Sequence, residues 1–438
     1  MRAKAAVAAL VAVSVLGASW VVPVATGTGL PGADRSFGDD GIVDLSRDLP
    51  GPAPAYPDEM AVAPDGEIYV LDSEISCRAN ACVRTYYLTR FSPKGSRDHS
   101  YAGSGAKRLL SLQYGSSFLA VDSRGRPTIL FVEEAGMTLV RLTPGGSRDP
   151  SFGDRGLAKL PCPCDEISGF SVDPRGGIRI VRSEARKVHR SAGSKARHAG
   201  FTEVKALLPS GALDRSFGRG GTASMLLDGG NYATTVQGTA GGGVVFVDAR
   251  WAGGGTPYVG RISGSGLADT GFAKRATRSL AKLSRLRTVR YGGPSVHSII
   301  PRPGGGFDFV GTFEHHGFVV RVDADGSAVK SFADKGLKVL KATIATAIGD
   351  RAGRTFAVGV EHLRGFHYER VGQWLDGRYR PLAGFSIDAE LATGEEGLSL
   401  VLQPGGRPLA FDDGSQVCRG YCPAQPRMAR FLKPPADR

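Results

Sequence analysis

The chain has 438 residues, 41% hydrophobic and 22% charged, values of a folded globular protein that exclude wholesale disorder. Lys and Arg exceed Asp and Glu by 55 to 42, a formal charge of +13. That excess favours anionic partners, although a composition rich in arginine, glycine and alanine explains it without any partner. The 62 glycines and 26 prolines are spread throughout and argue for many turns rather than long helices.

At the N-terminus, "MRAK" is a short basic stretch, and no charged residue follows Lys4 until Asp34. The run from Ala5 to Ala25 is apolar and is followed by small residues, "TGTG". Residues 1–28 therefore read as a secretory signal peptide, with Pro23 and the small residues resembling a cleavage region. The run is also long enough to cross a bilayer, so an uncleaved anchor is the alternative. Residues 29–438 then form one exported domain, read as a monomer, with a charge of about +11 once Arg2 and Lys4 are removed.

The mature part opens with a loop, "DRSFGDDG" from Asp34, that returns as "DPSFGDRG" from Asp149 and "DRSFGRGG" from Asp214. Looser copies make a series of aromatic markers: Phe37, Tyr101, Phe152, Phe217, Phe272, Phe332 and Phe385. A period of about 60 residues is the signature of stacked supersecondary units. A strand–turn–strand pattern keeps the same beat, from "MAVAPDGEIYVLD" at Met60 to "LVLQPGGRPLAF" at Leu400, each copy a hairpin signal. A third strand precedes each loop, as in "YLTRFSPKG" and "LVRLTPGG".

Each unit thus supplies strands A and B of the hairpin, strand C, and a strand D after the aromatic loop. The first loop has no strand C before it, and the last strand C, "MARFLK" from Met428, has no loop after it. Complementary ends of this kind close a ring and remove its open edge. The fold read from this is all-β, a seven-bladed β-propeller of four-stranded blades. Blade seven is shared by residues 33–45 and 397–433, the C-terminal strand C pairing beside the N-terminal strand D. An open β-solenoid, the alternative, has no need of complementary ends.

The loop D-x-S-F-G-x-x-G resembles the delta-60 repeat of bacterial proteins, and the resemblance covers nearly all of residues 29–438 in stronger and weaker copies. It implies an exported, propeller-like protein and carries no catalytic residue with it. Read physically, the loop is structural. Its aspartate accepts backbone N–H groups, its aromatic wedges between blades, and its glycines admit the positive φ that reverses the chain into strand D.

In a propeller, the A–B and C–D turns share one face and the B–C and D–A connections share the other. Nearly everything irregular in the sequence falls on the second face, where function is expected. All six cysteines are there. Cys77 with Cys82 and Cys418 with Cys422 occupy the same B–C position in blades one and seven, and Cys162 with Cys164 precede blade three. An even count in an exported chain favours disulfides, first of all local ones, with exchange across the closure as the alternative.

Two basic segments complete the candidates. One carries Arg186, Lys187, Arg190, Lys195 and Arg197 in the B–C loop of blade three. The other, assigned to strand D and the D–A connection of blade four, carries Lys274, Arg275, Arg278 and Lys282, then Arg285, Arg287 and Arg290. Together they make a possible polyanion patch. Neither segment is interleaved with aromatics, so nucleic acid is not the expected partner. Glu314–His315 and Glu361–His362 read as surface-loop residues. No metal, cofactor or catalytic residue is assigned, and no hydrolase, metalloprotease, phosphate-loop or calcium-loop motif occurs. The functional reading is a non-catalytic exported propeller that binds an anionic envelope polymer, a carbohydrate or a protein through its variable face. The alternative is a lactonase-like hydrolase or lyase with its site at the axial funnel.

Overall fold

Strand pairing joins the two ends of the chain: Ile42, Val43 and Asp44 pair antiparallel with Ala429, Met428 and Arg427. The computed structural model describes residues 33–50, 56–78, 81–113, 115–133, 136–161, 167–188, 197–228, 232–249, 257–285, 293–314, 316–362, 368–388, 398–412 and 426–433. Seven antiparallel sheets follow in chain order, the seventh completed by Ile42–Asp44 from the N-terminal side. Blade seven is built from Leu398–Gln403, Arg407–Asp412 and Arg427–Arg430 with that strand at its edge. This is the expected seven-bladed propeller with a three-plus-one closure.

Each blade is too thin to bury its own faces, so the core lies between blades. Seven apolar clusters fill the seven interfaces; the one across the closure packs Phe37 and Met428 against Met60 and Val70 of blade one. The loop aromatics are the wedges. Phe152 of blade two lies against Gly211 in the C–D turn of blade three, where even a Cβ would meet its ring at 2.8 Å. Phe37, Phe152 and Phe217 are all buried.

The loop aspartates act as expected. Asp34 and Asp149 each accept the backbone N–H and the hydroxyl of the serine two residues on. Burial pushes the Asp149 carboxyl up, but the Ser151 hydrogen bonds and the charges of Arg141 and Arg126 hold it below the ordinary carboxylate value. The loop glycines take the positive φ that the turn requires, Gly153 at 52° and Gly156 at 90°.

A residue of strand C completes this unit, and the repeat pattern above does not single it out. Arg141 is buried, stacks on Phe152 and donates to Asp149 at 2.8 Å and to the Pro209 carbonyl of blade three. Arg90 does the same with Tyr101, Asp98 and Pro144 O, Arg261 with Phe272, Asp269 and Ala324 O. Arg430 repeats it across the closure, over Phe37, beside Asp34 and onto Pro93 O. Where strand C lacks the arginine, in blade three, Arg179 of strand B takes over, stacking on Phe217 and donating to Gly242 O at 2.7 Å. Each guanidinium thus ties its own loop to the turn of the next blade.

Two expectations need correction. Blade four has three strands, Tyr232–Gly238, Val244–Ala249 and Tyr258–Ile262, and its strand D is replaced by a helix, Thr270–Leu280, running into a short turn of 3-10 helix at Ala281–Arg285. The reason is local. The two glycines that reverse the chain after Phe152 are Ala273 and Ala276 after Phe272. Asp269, freed to cap, accepts the Phe272 N–H at 2.8 Å, and Phe272, Ala273, Ala276 and Leu280 form a buried helical face. In blade six, Phe385 is not in a loop. The C–D connection there is a tight turn in which Asp376 accepts the N–H groups of Arg378 and Arg380, and Phe385 lies in strand D, Pro381–Asp388.

Candidate ligand site at the axial mouth

Strand A is the innermost strand, touching strand A of the next blade all round the ring. Five of these strands slip register near their first residues, between Pro57 and Glu59, Ile167 and Gly169, Ala233 and Thr235, Val296 and Ser298, and Ile344 and Thr346. A β-bulge leaves one residue out of the ladder and re-aims its side chain. The skipped residues are Asp58, Ser168, Thr234, His297 and Ala345. All sit at the D–A end of strand A, on the face opposite the repeated aromatic loops.

In blades four to six the bulged residues Thr234, His297 and Ala345, with Ser399 and Leu400 from the unbulged strand of blade seven, line a recess of about 420 Å³, within the range of roughly 300–1,000 Å³ usual for small-molecule sites. Its polar groups are Thr234, Thr235, Ser295, His297, Thr346 and Ser399, and among the described residues no carboxylate lines it. The frame is held by bonds between blades. Thr235 Oγ1 donates to Val296 O at 2.7 Å, and Ser298 Oγ accepts the Ala347 N–H at 2.9 Å. His297 Nε2 lies 2.9 Å from Thr312 Oγ1 on its own blade. A hydroxyl that spends its proton on a carbonyl keeps its lone pairs, so the wall presents acceptors to a ligand rich in hydroxyl donors.

Blade one contributes acid to the same ring of strands. Asp58 is paired with Arg84 at 3.2 Å. Burial, with the Asp58 charge adding to it, pushes the neighbouring Glu59 carboxyl up to about 7. Among the described residues no three His, Cys, Asp or Glu side chains gather in a way that would hold a metal.

The candidates read from sequence are placed as follows. Cys77 and Cys82 form a disulfide across a paired position, Cα atoms 4.0 Å apart, near the tip of a long B–C hairpin in blade one. Cys162, Cys164, Cys418 and Cys422 lie outside the described residues, as do Arg190, Lys195, Arg287, Arg290 and His315. The basic segment of blade three extends strands rather than a loop: Arg186 and Lys187 are in strand B, Ile178–Val188, and Arg197 opens strand C, Arg197–Leu207. Arg186 is committed, stacked on Phe201 and paired with Glu184.

The second segment is mostly helix, so its residues do not sit where a strand D would carry them. Arg275 donates to Asp325 O at 2.7 Å and Lys282 to Lys335 O at 2.7 Å, both on blade five. Lys274 and Arg278 remain exposed on the helix. Arg285 ends the 3-10 turn. Glu314 is in the tight B–C turn of blade five, and Glu361 and His362 are in strand B of blade six.

The fold and the recess define a seven-bladed propeller with a polar axial mouth. No protein-family model matches the chain, and no curated protein does. Solved structures similar in fold include the β-propeller domain of the Trilobed protease from Pyrococcus furiosus, 11% identical, with 77% of this chain and 98% of that one covered and a TM-score of 0.36. A putative oxidoreductase (glucose dehydrogenase) from Thermus thermophilus is 15% identical over 89% of this chain and 99% of that one, with a TM-score of 0.34. Prolyl oligopeptidase B from Galerina marginata is 8% identical and covers 82% of this chain, which spans 46% of that one, with a TM-score of 0.45. At such distances the likeness concerns the propeller fold alone.

Proposed function

We propose that this chain is an exported binding propeller of the delta-60 repeat type, whose axial mouth takes a polyhydroxylated ligand of the carbohydrate class. The observation that carries the reading is the lining: hydroxyls and one imidazole from four consecutive blades, three of them on bulged strands, with no carboxylate among the described residues. Such a wall binds neutral polar groups and offers no acid–base pair. The Cys77–Cys82 disulfide supports export, since such bonds persist in oxidising compartments.

The test is a glycan array read at low and high salt. Binding that survives high salt supports the axial mouth. Retention that falls with salt and with neutralising Lys274 and Arg278 assigns an anionic polymer to the helix instead. The enzymatic alternative has one observation in its favour, the Glu59 carboxyl held near neutrality on strand A of blade one. Turnover of a bound glycan that Glu59→Gln abolishes would favour it.

A further inference from the structure

A second cavity, far from the axial mouth in character, opens between blades five and six. It measures about 520 Å³ and its floor is apolar: Leu340, Ile344, Ala357, Leu375 and Tyr379. Small side chains from blade six line one wall of it. The strand B position that faces the preceding blade is Val70, Ile129, Ile180, Phe246 and Phe309 in blades one to five, and alanine in blades six and seven, Ala357 and Ala410. Two positions on, Gly359 adds no side chain, as Gly311 adds none in blade five. The opposite wall is short, since strand D of blade five is only Leu337–Leu340. Together these features border the opening between the two blades.

The charged groups at this cleft are of one sign. Lys338 faces it from the same side of the strand as Leu340, and Lys341 follows on the way out. Among the described residues no Asp or Glu lines the cleft. Neither lysine is paired with a carboxylate among the described residues. From blade six, Gln373 stands opposite Ala357 in register and brings a carboxamide with no hydrogen-bond partner among the described residues. An apolar trough with cations and an amide at its rim complements one ligand chemistry, a hydrocarbon chain that ends in a carboxylate.

We propose that the cleft between blades five and six binds an amphipathic carboxylate, its chain on Ala357 and Leu375 and its head at Lys338 and Gln373. Lys341 contributes charge at the rim without fixing the head.

The test is a calorimetric titration of the full chain with hexanoate, octanoate and decanoate, and with decanol. The expected result is saturable binding that tightens about fourfold for each added methylene, until the trough is full. Decanol should bind at least tenfold more weakly than decanoate. Lys338→Glu, at the rim, should cost decanoate at least tenfold while the thermal midpoint holds. Ala357→Leu, which fills the trough, should abolish binding of every chain length. Absence of saturable decanoate binding would overturn the proposal. So would equal affinity for decanol, or affinity unchanged in Lys338→Glu. If Ala357→Leu fails to fold, the chain-length series and Lys338→Glu still decide. A trough made for a partner protein's side chain would show as no dependence on the head group.

Discussion

Arg141 and Phe152 stand eleven residues apart in sequence, and the guanidinium carbon sits 4.4 Å from the ring centroid. The same arginine reaches Asp149 and the next blade's Pro209 carbonyl, so one side chain joins loop, wedge and neighbour. Burying an ion pair gains little by itself, but leaving one partner alone is costly. Arg141→Met should therefore destabilise the propeller by about 3 kcal/mol, part of it the cost of a buried Asp149 that keeps Arg126 but loses its shorter ion pair. Adding Asp149→Leu should recover part of that loss, a non-additivity that denaturant titration of the two single variants and the double variant measures directly.

The closure makes its own demand. Removing residues from Arg427 onward deletes the strand that pairs with both Ile42–Asp44 and Arg407–Asp412. It also removes Arg430 from Phe37 and Asp34. The truncated chain should lose its cooperative melt or unfold at a clearly lower temperature than the parent. A parental melting curve by calorimetry would show that the ring does not depend on its closure.

Glu59 predicts a pH dependence. Its carboxyl is raised from 4.5 to about 7 in the folded chain, so the folded state holds the proton more tightly than the unfolded one. The stability this contributes is complete below pH 4.5 and is lost as pH rises through about 7. Glu59→Gln should remove that slope, leaving the variant more stable than the parent at pH 8.5 by about 1–3 kcal/mol. Urea midpoints of both chains at pH 5 and pH 8.5 check it.

Cys77 and Cys82 face each other near the tip of an eleven-pair hairpin, so their bond closes a small local loop. Little chain entropy is removed from the unfolded state by a loop of that size compared with one spanning blades. Cys77→Ser with Cys82→Ser should leave the global melting temperature within about 2–3 °C, while amide exchange rises in the arm around Ile75 and Val83. Loss of the whole fold would mean that the arm holds the ring together.

Much of this architecture is legible in the sequence because it is written several times. The aspartate, the aromatic and the glycines of each loop do repeated structural work, so repetition betrays them. The arginine recurs too, eight residues before Asp98, Asp149 and Asp269, but only the stacking shows why. The helix after Asp269 was within reach as well, since Phe272, Ala276, Leu280 and Leu283 fall on one helical face. Treating that stretch as one more repeat hides a period of 3.6 beneath an expected period of 2. The axial mouth is different. Bulges at Thr234 and His297 shift short strands by one residue, and nothing in alternation or composition marks the slip. The cleft beside Ala357 is equally invisible, since alanine recurs at the same strand B place as Ala410 of blade seven.

Everything proposed for the axial mouth rests on the innermost strands of blades four to seven holding a polyhydroxylated ligand. A calorimetric titration of the best-bound glycan into the parent chain, and into Thr235→Val with Ser399→Ala, addresses this without intermediaries. Saturable, salt-insensitive binding by the parent is expected, with at least a tenfold loss in the double variant and the fold intact by circular dichroism. Equal affinity in both chains, or no glycan bound by the parent, would contradict it.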